Sequence, residues 1–118
     1  MKVKYATIGV ADMEESIKFY AEIMGLKIDS KINPYPGFTI TFLKGEGDAM
    51  IELIENVENP QETGLLSVGM EVEDMNTTVK ELKSKGAEIT RGPTSVAAGT
   101  IIAFLQDPNG VQIGLIQH

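Results

Sequence analysis

The N-terminal half of the chain is divided into short apolar runs by turn-forming residues. Runs of this length that are rich in β-branched residues predict strands rather than helices. Residues 33–37 carry two prolines and a glycine, which predict a loop. The four predicted strands of this half cover residues 3–10, 26–32, 38–43 and 49–55.

The segment from Asp12 to Gly25 predicts the first helix. Asp12 can cap its N-terminus, and Gly25 suits the left-handed conformation that ends many helices. Ile17, Tyr20 and Met24 recur at helical spacing. We therefore expect one apolar face of this helix to pack on the strands.

The C-terminal half repeats this order of elements. A helix is predicted over residues 74–85, and strands are predicted at 66–72, 87–90, 100–105 and 111–116. A shift of 62 residues aligns residues 39–54 with 101–116 without a gap. The positions that are identical under this shift are Ile40, Phe42, Leu43, Ile51, Leu53 and Ile54, which meet Ile102, Phe104, Leu105, Ile113, Leu115 and Ile116.

This internal similarity indicates two copies of one βαβββ unit. The first module is predicted at residues 1–55 and the second at residues 65–118, with a polar linker at 56–64. Length supports the same organisation, because 118 residues fit one domain with a core of its own.

Composition narrows the chemistry that the chain can perform. There is no cysteine, which excludes disulfides, zinc–thiolate sites and thiol nucleophiles, and the single histidine is His118. The formal net charge of −7 argues against a nucleic-acid partner. No apolar stretch reaches the length of a membrane span, so we expect no membrane partner and a cytoplasmic location.

Two motifs carry a family resemblance. The opening combines Val10-Ala11-Asp12 with Ser16-Ile17-Lys18-Phe19-Tyr20 and Met24-Gly25-Leu26, and the closing motif is Phe104-Leu105-Gln106-Asp107-Pro108-Asn109-Gly110. Together they resemble the vicinal-oxygen-chelate superfamily, which includes glyoxalase I, bleomycin-resistance proteins and extradiol dioxygenases. The resemblance covers essentially the whole chain. It implies a single glyoxalase/bleomycin-resistance-like domain at residues 1–118. The fold class that the resemblance implies is α+β, with two tandem βαβββ modules forming a curved, cup-shaped mixed sheet and helices on the outside.

The resemblance also places the four metal-ligand positions of the family, which fall on Tyr5, Glu52, Ser67 and Gly114. The 62-residue shift supports this placement, because it relates Tyr5 to Ser67 and Glu52 to Gly114. Only Glu52 has a side chain that binds a divalent ion well. We therefore expect no metal site of the usual kind and no cofactor.

Strand alternation extends the candidate ligand site beyond these four positions. Side chains two residues apart share one face of a strand, and apolar walls with a few polar groups are typical of small-molecule pockets. Gly69 would leave additional space. The candidate ligand-binding residues are Tyr5, Thr7, Met50, Glu52, Ser67, Glu71, Gln112 and Gly114.

Three charged residues each allow two interpretations. Glu52 could have a raised pKa and carry a proton, or it could pair with a cationic ligand. Glu71 could face the ligand or lie in water at an open strand end. Arg91 precedes a stretch predicted to be flexible, residues 94–99, and could contact an anion or stay in solvent.

Three functions stay open on this basis. The leading one is a small-molecule-binding protein of the bleomycin-resistance type that lacks the usual metal site and forms a homodimer. The alternative is a glyoxalase-like lyase or isomerase that uses Glu52 as a base or as the sole retained metal ligand. A third is a chain that only dimerises or serves another subunit. Whether the protein is an enzyme, which ligand it takes, and whether modules pair within one chain or are exchanged between chains are all left undecided.

Overall fold

The structure, a computed structural model, describes residues 1–60 and 62–118. The chain divides into two compact units. The first unit is Tyr5–Leu66, and the second unit combines Met1–Lys4 with Ser67–His118. No helix within the described ranges is long and apolar enough to cross a lipid bilayer.

The order of elements is βαβββ followed by βαβββ, which confirms the predicted α+β class. A π-helical turn, Lys18–Ile23, extends α1, and a short 3₁₀ turn, Ala97–Gly99, follows β6. The elements are β1 (Lys2–Gly9), α1 (Met13–Ile17), β2 (Lys27–Tyr35), β3 (Phe38–Lys44), β4 (Met50–Asn56), β5 (Gly64–Glu71), α2 (Met75–Ser84), β6 (Arg91–Ser95), β7 (Ile101–Gln106) and β8 (Gln112–Gln117).

The first unit contains a mixed set of strands in the order β2-β3-β4-β1. Strands β1 and β4 are parallel, whereas β3 is antiparallel to both β2 and β4. One face is covered by α1. The buried core between them consists of Val10, Met13, Leu43 and Leu53.

The second unit repeats this arrangement in the order β5-β8-β7-β6. Strand registers agree with the sequence repeat: Ile40 pairs with Ile54, and Ile102 pairs with Ile116. The core residues also correspond under the 62-residue shift, because Val72, Met75 and Leu115 occupy the places of Val10, Met13 and Leu53. The buried core of this unit consists of Val72, Met75, Val79, Ala103 and Leu115.

Both helices are anchored at their N-termini in the same way. Asp12 accepts a hydrogen bond from the backbone N–H of Glu15 at 3.1 Å, which confirms it as a cap. The side chain of Glu55 in β4 accepts from the N–H of Met13 at 3.0 Å. Asp74 and Gln117 do the same for α2. In each unit, side chains therefore satisfy N–H groups in the first turn of the helix, and one of these side chains comes from the last strand of the same unit.

The predicted strand at 87–90 is wrong. The chain is still leaving α2 there, since the N–H of Ala87 bonds the carbonyl of Leu82 at 2.9 Å. The strand lies instead at Arg91–Ser95, partly inside the stretch predicted to be flexible. Pairing with β7 decided this, and such pairing is not visible in local sequence.

The predicted loop at 33–37 is also wrong in its extent, because β2 runs to Tyr35. A register shift between Ile32 and Tyr35 accommodates Pro34, which has no N–H to give to the ladder. The side-chain amide of Asn33 donates to the carbonyl of Phe38 at 2.8 Å instead.

The apolar face predicted for the first helix is correct only in part. Ile17 and Tyr20 pack against the core, but Met24 is 61% exposed. The N–H of Met24 bonds the carbonyl of Phe19, five residues back. This wider turn rotates Met24 away from the face that helical spacing predicts. Gly25, with φ of +83°, adopts the expected left-handed conformation.

Candidate functional site

Glu52 lies on the face of the first unit that is opposite α1. Strand pairing places it in one row with Phe42 of β3 and Thr7 of β1. The hydroxyl of Thr7 donates a hydrogen bond to Oε1 of Glu52 at 2.6 Å. The neighbouring row pairs Tyr5 with Met50. The structure thus brings together the four candidate residues of the first half.

The surroundings of Glu52 are largely apolar. The rings of Tyr5 and Phe42 are 5.4 Å apart and tilted at 49°. Burial raises the pKa of the Glu52 carboxyl, and the hydrogen bond from Thr7 partly offsets this rise. The hydrogen bond from Thr7 is made to Oε1 of Glu52. Glu52 is therefore a carboxyl with one oxygen held in place and a shifted proton affinity.

Phe42 is a part of this site that the sequence reasoning missed. Alternation along β3 puts Ile40, Phe42 and Lys44 on one face, opposite Leu43 of the core. The 62-residue shift identifies Phe42 only as a repeated position and does not say which face of the sheet carries it. The same alternation that located Thr7 and Glu52 is sufficient to find it.

The corresponding row of the second unit contains Arg91, Phe104, Gly114 and Gly69. The ring of Phe104 lies against Gly114, where an added Cβ would be 3.3 Å from Cε1 of the ring. The guanidinium of Arg91 lies over the same ring, 4.2 Å from its centroid. The place that a carboxylate holds in the first unit is thus taken here by an aromatic ring and a cation.

The other candidates of the second half lie on this same face. Ser67 pairs with Gln112 one row away, and Glu71 pairs with Ile116 on the other side. The Glu71 carboxylate is 3.6 Å from Nζ of Lys4 and 3.5 Å from Nε2 of His118. Glu71 is therefore in contact with two basic side chains, those of Lys4 and His118.

A cavity of about 720 Å³ lies beside the start of α2 in the second unit. Its walls include Glu71, Glu73, Asp74 and Glu81. It does not include Glu52 or the row of Arg91. The binding roles predicted for Tyr5, Thr7, Met50, Glu52, Ser67, Glu71, Gln112 and Gly114 stay predictions.

The residues present do not fit a metal ion at the family's ligand positions. Across residues 1–60 and 62–118, no group of three or more His, Cys, Asp or Glu side chains could hold one. Gly114 has no side chain that could coordinate a metal ion, and the Phe104 ring borders the space that a longer side chain would need. Tyr5 and Ser67 are weak ligands when neutral. Glu52 alone does not make a metal site.

The chain is similar in sequence to known proteins along nearly its whole length. Lactoylglutathione lyase of Haemophilus influenzae is 31% identical over 128 residues, covering 100% of this chain and 93% of that protein. A probable lactoylglutathione lyase of Vibrio cholerae is 35% identical, covering 99% and 91%.

Solved structures show the same fold. A hypothetical protein from Bacillus halodurans superposes with a TM-score of 0.82 at 24% identity, covering 99% of this chain and 94% of its own. Methylmalonyl-CoA epimerase from Mycobacterium tuberculosis superposes with a TM-score of 0.78 at 22% identity, covering 98% and 87%. At these identities the likeness concerns the fold alone.

Residues 2–115 match the sequence profile described as the glyoxalase/bleomycin resistance protein/dioxygenase superfamily. This match, the curated relatives and the shared fold confirm the resemblance predicted from the two motifs. The chain belongs to the glyoxalase/bleomycin resistance protein/dioxygenase superfamily.

Proposed function

We propose that this protein is a glyoxalase-like lyase or isomerase that moves a proton on a small carbonyl compound, with Glu52 as general base. The observation that carries the proposal is the Thr7–Glu52 pair. A partly buried carboxyl with a raised pKa is held there by a hydrogen bond from the Thr7 hydroxyl. Such a carboxylate is a stronger base than one in water.

The geometry of the pair suits proton transfer. Thr7 holds Oε1 at 2.6 Å and so limits rotation of the carboxyl group. Oε2 is then the oxygen that can accept a proton from a substrate. The apolar neighbours Phe42 and Met50 exclude water from one side, which keeps the proton affinity of the carboxylate high.

The curated relatives support this proposal. Their names describe lactoylglutathione lyases, which favours the alternative prediction over the leading one, a binding protein of the bleomycin-resistance type. The lactoyl group carries a hydrogen on the carbon beside its thioester carbonyl. Removal of that hydrogen as a proton is the step for which a positioned carboxylate is suited.

No step of the proposed reaction is assigned to a metal ion, because the donor set does not fit one. The developing charge on the substrate carbonyl oxygen must then be met by hydrogen-bond donors. Deuterium exchange isolates proton removal from the rest of the reaction, since it requires only that the base acts reversibly.

The test is the incorporation of solvent deuterium into S-lactoylglutathione in D₂O, followed by mass spectrometry. We expect wild-type protein to accelerate exchange at the carbon beside the thioester. Glu52→Gln should reduce the rate roughly a hundredfold or more, as for loss of a general base. Glu55→Gln is the matched control: it makes the same charge change on the same strand, but Glu55 bonds the N–H of Met13 on the helix side.

Equal exchange rates in wild type and Glu52→Gln would refute Glu52 as the base. Tight binding of S-lactoylglutathione with no exchange by wild type would favour a binding protein instead. The predicted homodimer is a separate proposal. Light scattering on purified protein should give twice the 12.8 kDa mass of the chain.

A further inference from the structure

The edge strand of the second unit presents a cation whose hydrogen-bonding groups are unused. We infer that Arg91, stacked on Phe104, binds the carboxylate of a small apolar acid. This inference goes beyond the proposed role of Glu52, because every residue that supports it belongs to the second unit. It holds or fails independently of proton transfer.

The stacking arrangement leaves the donors of Arg91 available. A guanidinium that lies over an aromatic ring uses its flat face for the contact, here at 4.2 Å from the Phe104 centroid. Its N–H groups lie in the plane of the guanidinium and point outward from the stack. Within the described residues, this side chain makes neither an ion pair nor a hydrogen bond.

Space for a ligand adjoins the stack. Gly69 occupies the same row as Phe104 and has no side chain, whereas Gly114 of that row is covered by the Phe104 ring itself. The next row brings Ile102 and Ile116 together. A small apolar group could therefore lie beside the Phe104 ring on Gly69, Ile102 and Ile116 while its charged end reaches Arg91.

The charges on this face favour an anion. Of the residues that alternation places on this face of β5, β7 and β8, Glu71 is the only acid within the described chain, and Lys4 and His118 already engage it. The row on the other side of the stack joins Gln106, Gln112 and Ser67, which are neutral and carry donors. An incoming anion meets no free carboxylate there.

A carboxylate fits better than a phosphate. One guanidinium edge matches the two oxygens of a carboxylate with two parallel hydrogen bonds and cancels a single negative charge. A phosphate group carries more charge and is usually bound by several cations or by a nest of backbone N–H groups. Arg91 is the only cation that strand alternation puts in this part of the described face.

The test is a titration of ¹⁵N-labelled protein with sodium benzoate, monitored by two-dimensional NMR. Benzoate supplies one carboxylate on a small apolar ring, and benzamide is its neutral counterpart. We expect benzoate to shift the side-chain Nε–H signal of Arg91 and the amide signals of Gly69 and Gly114. Benzamide should shift them much less at the same concentration.

Three variants separate the charge of Arg91 from its shape and from net charge. Arg91→Gln should weaken benzoate binding about ten- to hundredfold, as expected for loss of a charge-assisted hydrogen-bond pair. Arg91→Lys should give an intermediate affinity, because it keeps the charge and loses the bidentate geometry. Lys83→Gln makes the same charge change on the exposed side of α2 and should bind like wild type.

Unchanged benzoate binding in Arg91→Gln would overturn the inference, as would equal binding of benzamide or no binding by wild type. Tighter Arg91-dependent binding of inorganic phosphate would overturn the carboxylate assignment. Glu52→Gln should bind benzoate as wild type does. Intact benzoate binding without thioester exchange therefore separates a failure of the proposed enzyme activity from a failure of this site.

Discussion

Replacement of Gly92 by alanine would test how closely β6 must approach β7 for Arg91 to lie over Phe104. Its φ is +81°, a left-handed conformation that side chains other than glycine rarely adopt. A Cβ added there would be 2.7 Å from the carbonyl oxygen of Ile102 and 3.1 Å from Cα of Ala103. Both obstacles are backbone atoms of the neighbouring strand, which cannot turn aside as a flexible side chain can.

The magnitude follows from comparison with Gly110, where φ is +86° but nothing lies within 4 Å of an added Cβ. Alanine at either position costs about 1–2 kcal/mol for the left-handed backbone, partly offset by about 0.4–1 kcal/mol from the stiffer unfolded chain. At Gly92 the strands must also separate by several tenths of an ångström. Forcing such overpacking costs a further amount of about 1–3 kcal/mol.

The assay is urea unfolding of both variants followed by far-ultraviolet circular dichroism, since the chain has no tryptophan. We expect Gly92→Ala to unfold at a lower urea concentration than Gly110→Ala, by about 1 M for a difference of this size. Equal midpoints for the two variants would show that only the left-handed backbone conformation contributes and that β7 does not resist a side chain at residue 92.

Other perturbations test the core, the candidate base, the helix cap and the metal argument. Thr41→Val should raise the free energy of unfolding by about 1–2 kcal/mol, because the Thr41 hydroxyl is fully buried and, within the described residues, has no hydrogen-bond partner; a loss of stability in urea unfolding would contradict this. Burial raises the folded-state pKa of Glu52 above 4.5, so the folded protein binds more protons than the unfolded chain between pH 4.5 and that higher value. The free energy of unfolding therefore falls as pH rises through this window. Glu52→Gln should therefore be more stable than wild type at neutral pH, with the difference gone below about pH 4.5 in thermal unfolding. Hydrogen bonds from the side chain and backbone of Thr77 lower the pKa of Asp74. The stabilisation of the folded protein by ionised Asp74 is present above pH 3.8 and is lost as pH falls through the folded-state pKa. Asp74→Asn should lack this pH dependence. Calorimetric titration with Ni²⁺ or Zn²⁺ should show no binding at one ion per chain, and a stoichiometric site would refute the argument from the donor set.

The two units carry different side chains at equivalent positions of one scaffold. At equivalent positions the first unit has Phe42 and Glu52, and the second has Phe104 and Gly114. Loss of the side chain at residue 114 lets the Phe104 ring approach the strand, and the ring in turn supports Arg91. Two differences between the repeats, Glu52 against Gly114 and Ser30 against Arg91, thus accompany the change from a carboxylate to a cation in this row.

Local sequence was sufficient to predict the repeat and the faces of its strands. Alternation and the 62-residue shift depend only on positions along the chain, and the structure agrees with the shift, because Ile40 pairs with Ile54 as Ile102 pairs with Ile116. The same reasoning placed Thr7 and Glu52 on one face. The caps at Asp12 and Asp74 were predictable for the same reason, because a cap bonds an N–H three residues away.

Only the tertiary structure decided which groups meet across strands. The position of β6 depends on its pairing with β7, and β2 continues past Pro34 because Asn33 supplies the missing donor to the next strand. Each of the interactions described at the candidate sites joins residues at least 13 positions apart. They are the hydrogen bond from Thr7 to Glu52, the contacts of Lys4 and His118 with Glu71, and the stacking of Arg91 on Phe104. Contacts of this kind depend on strand register and side-chain packing, which no periodicity in the sequence encodes.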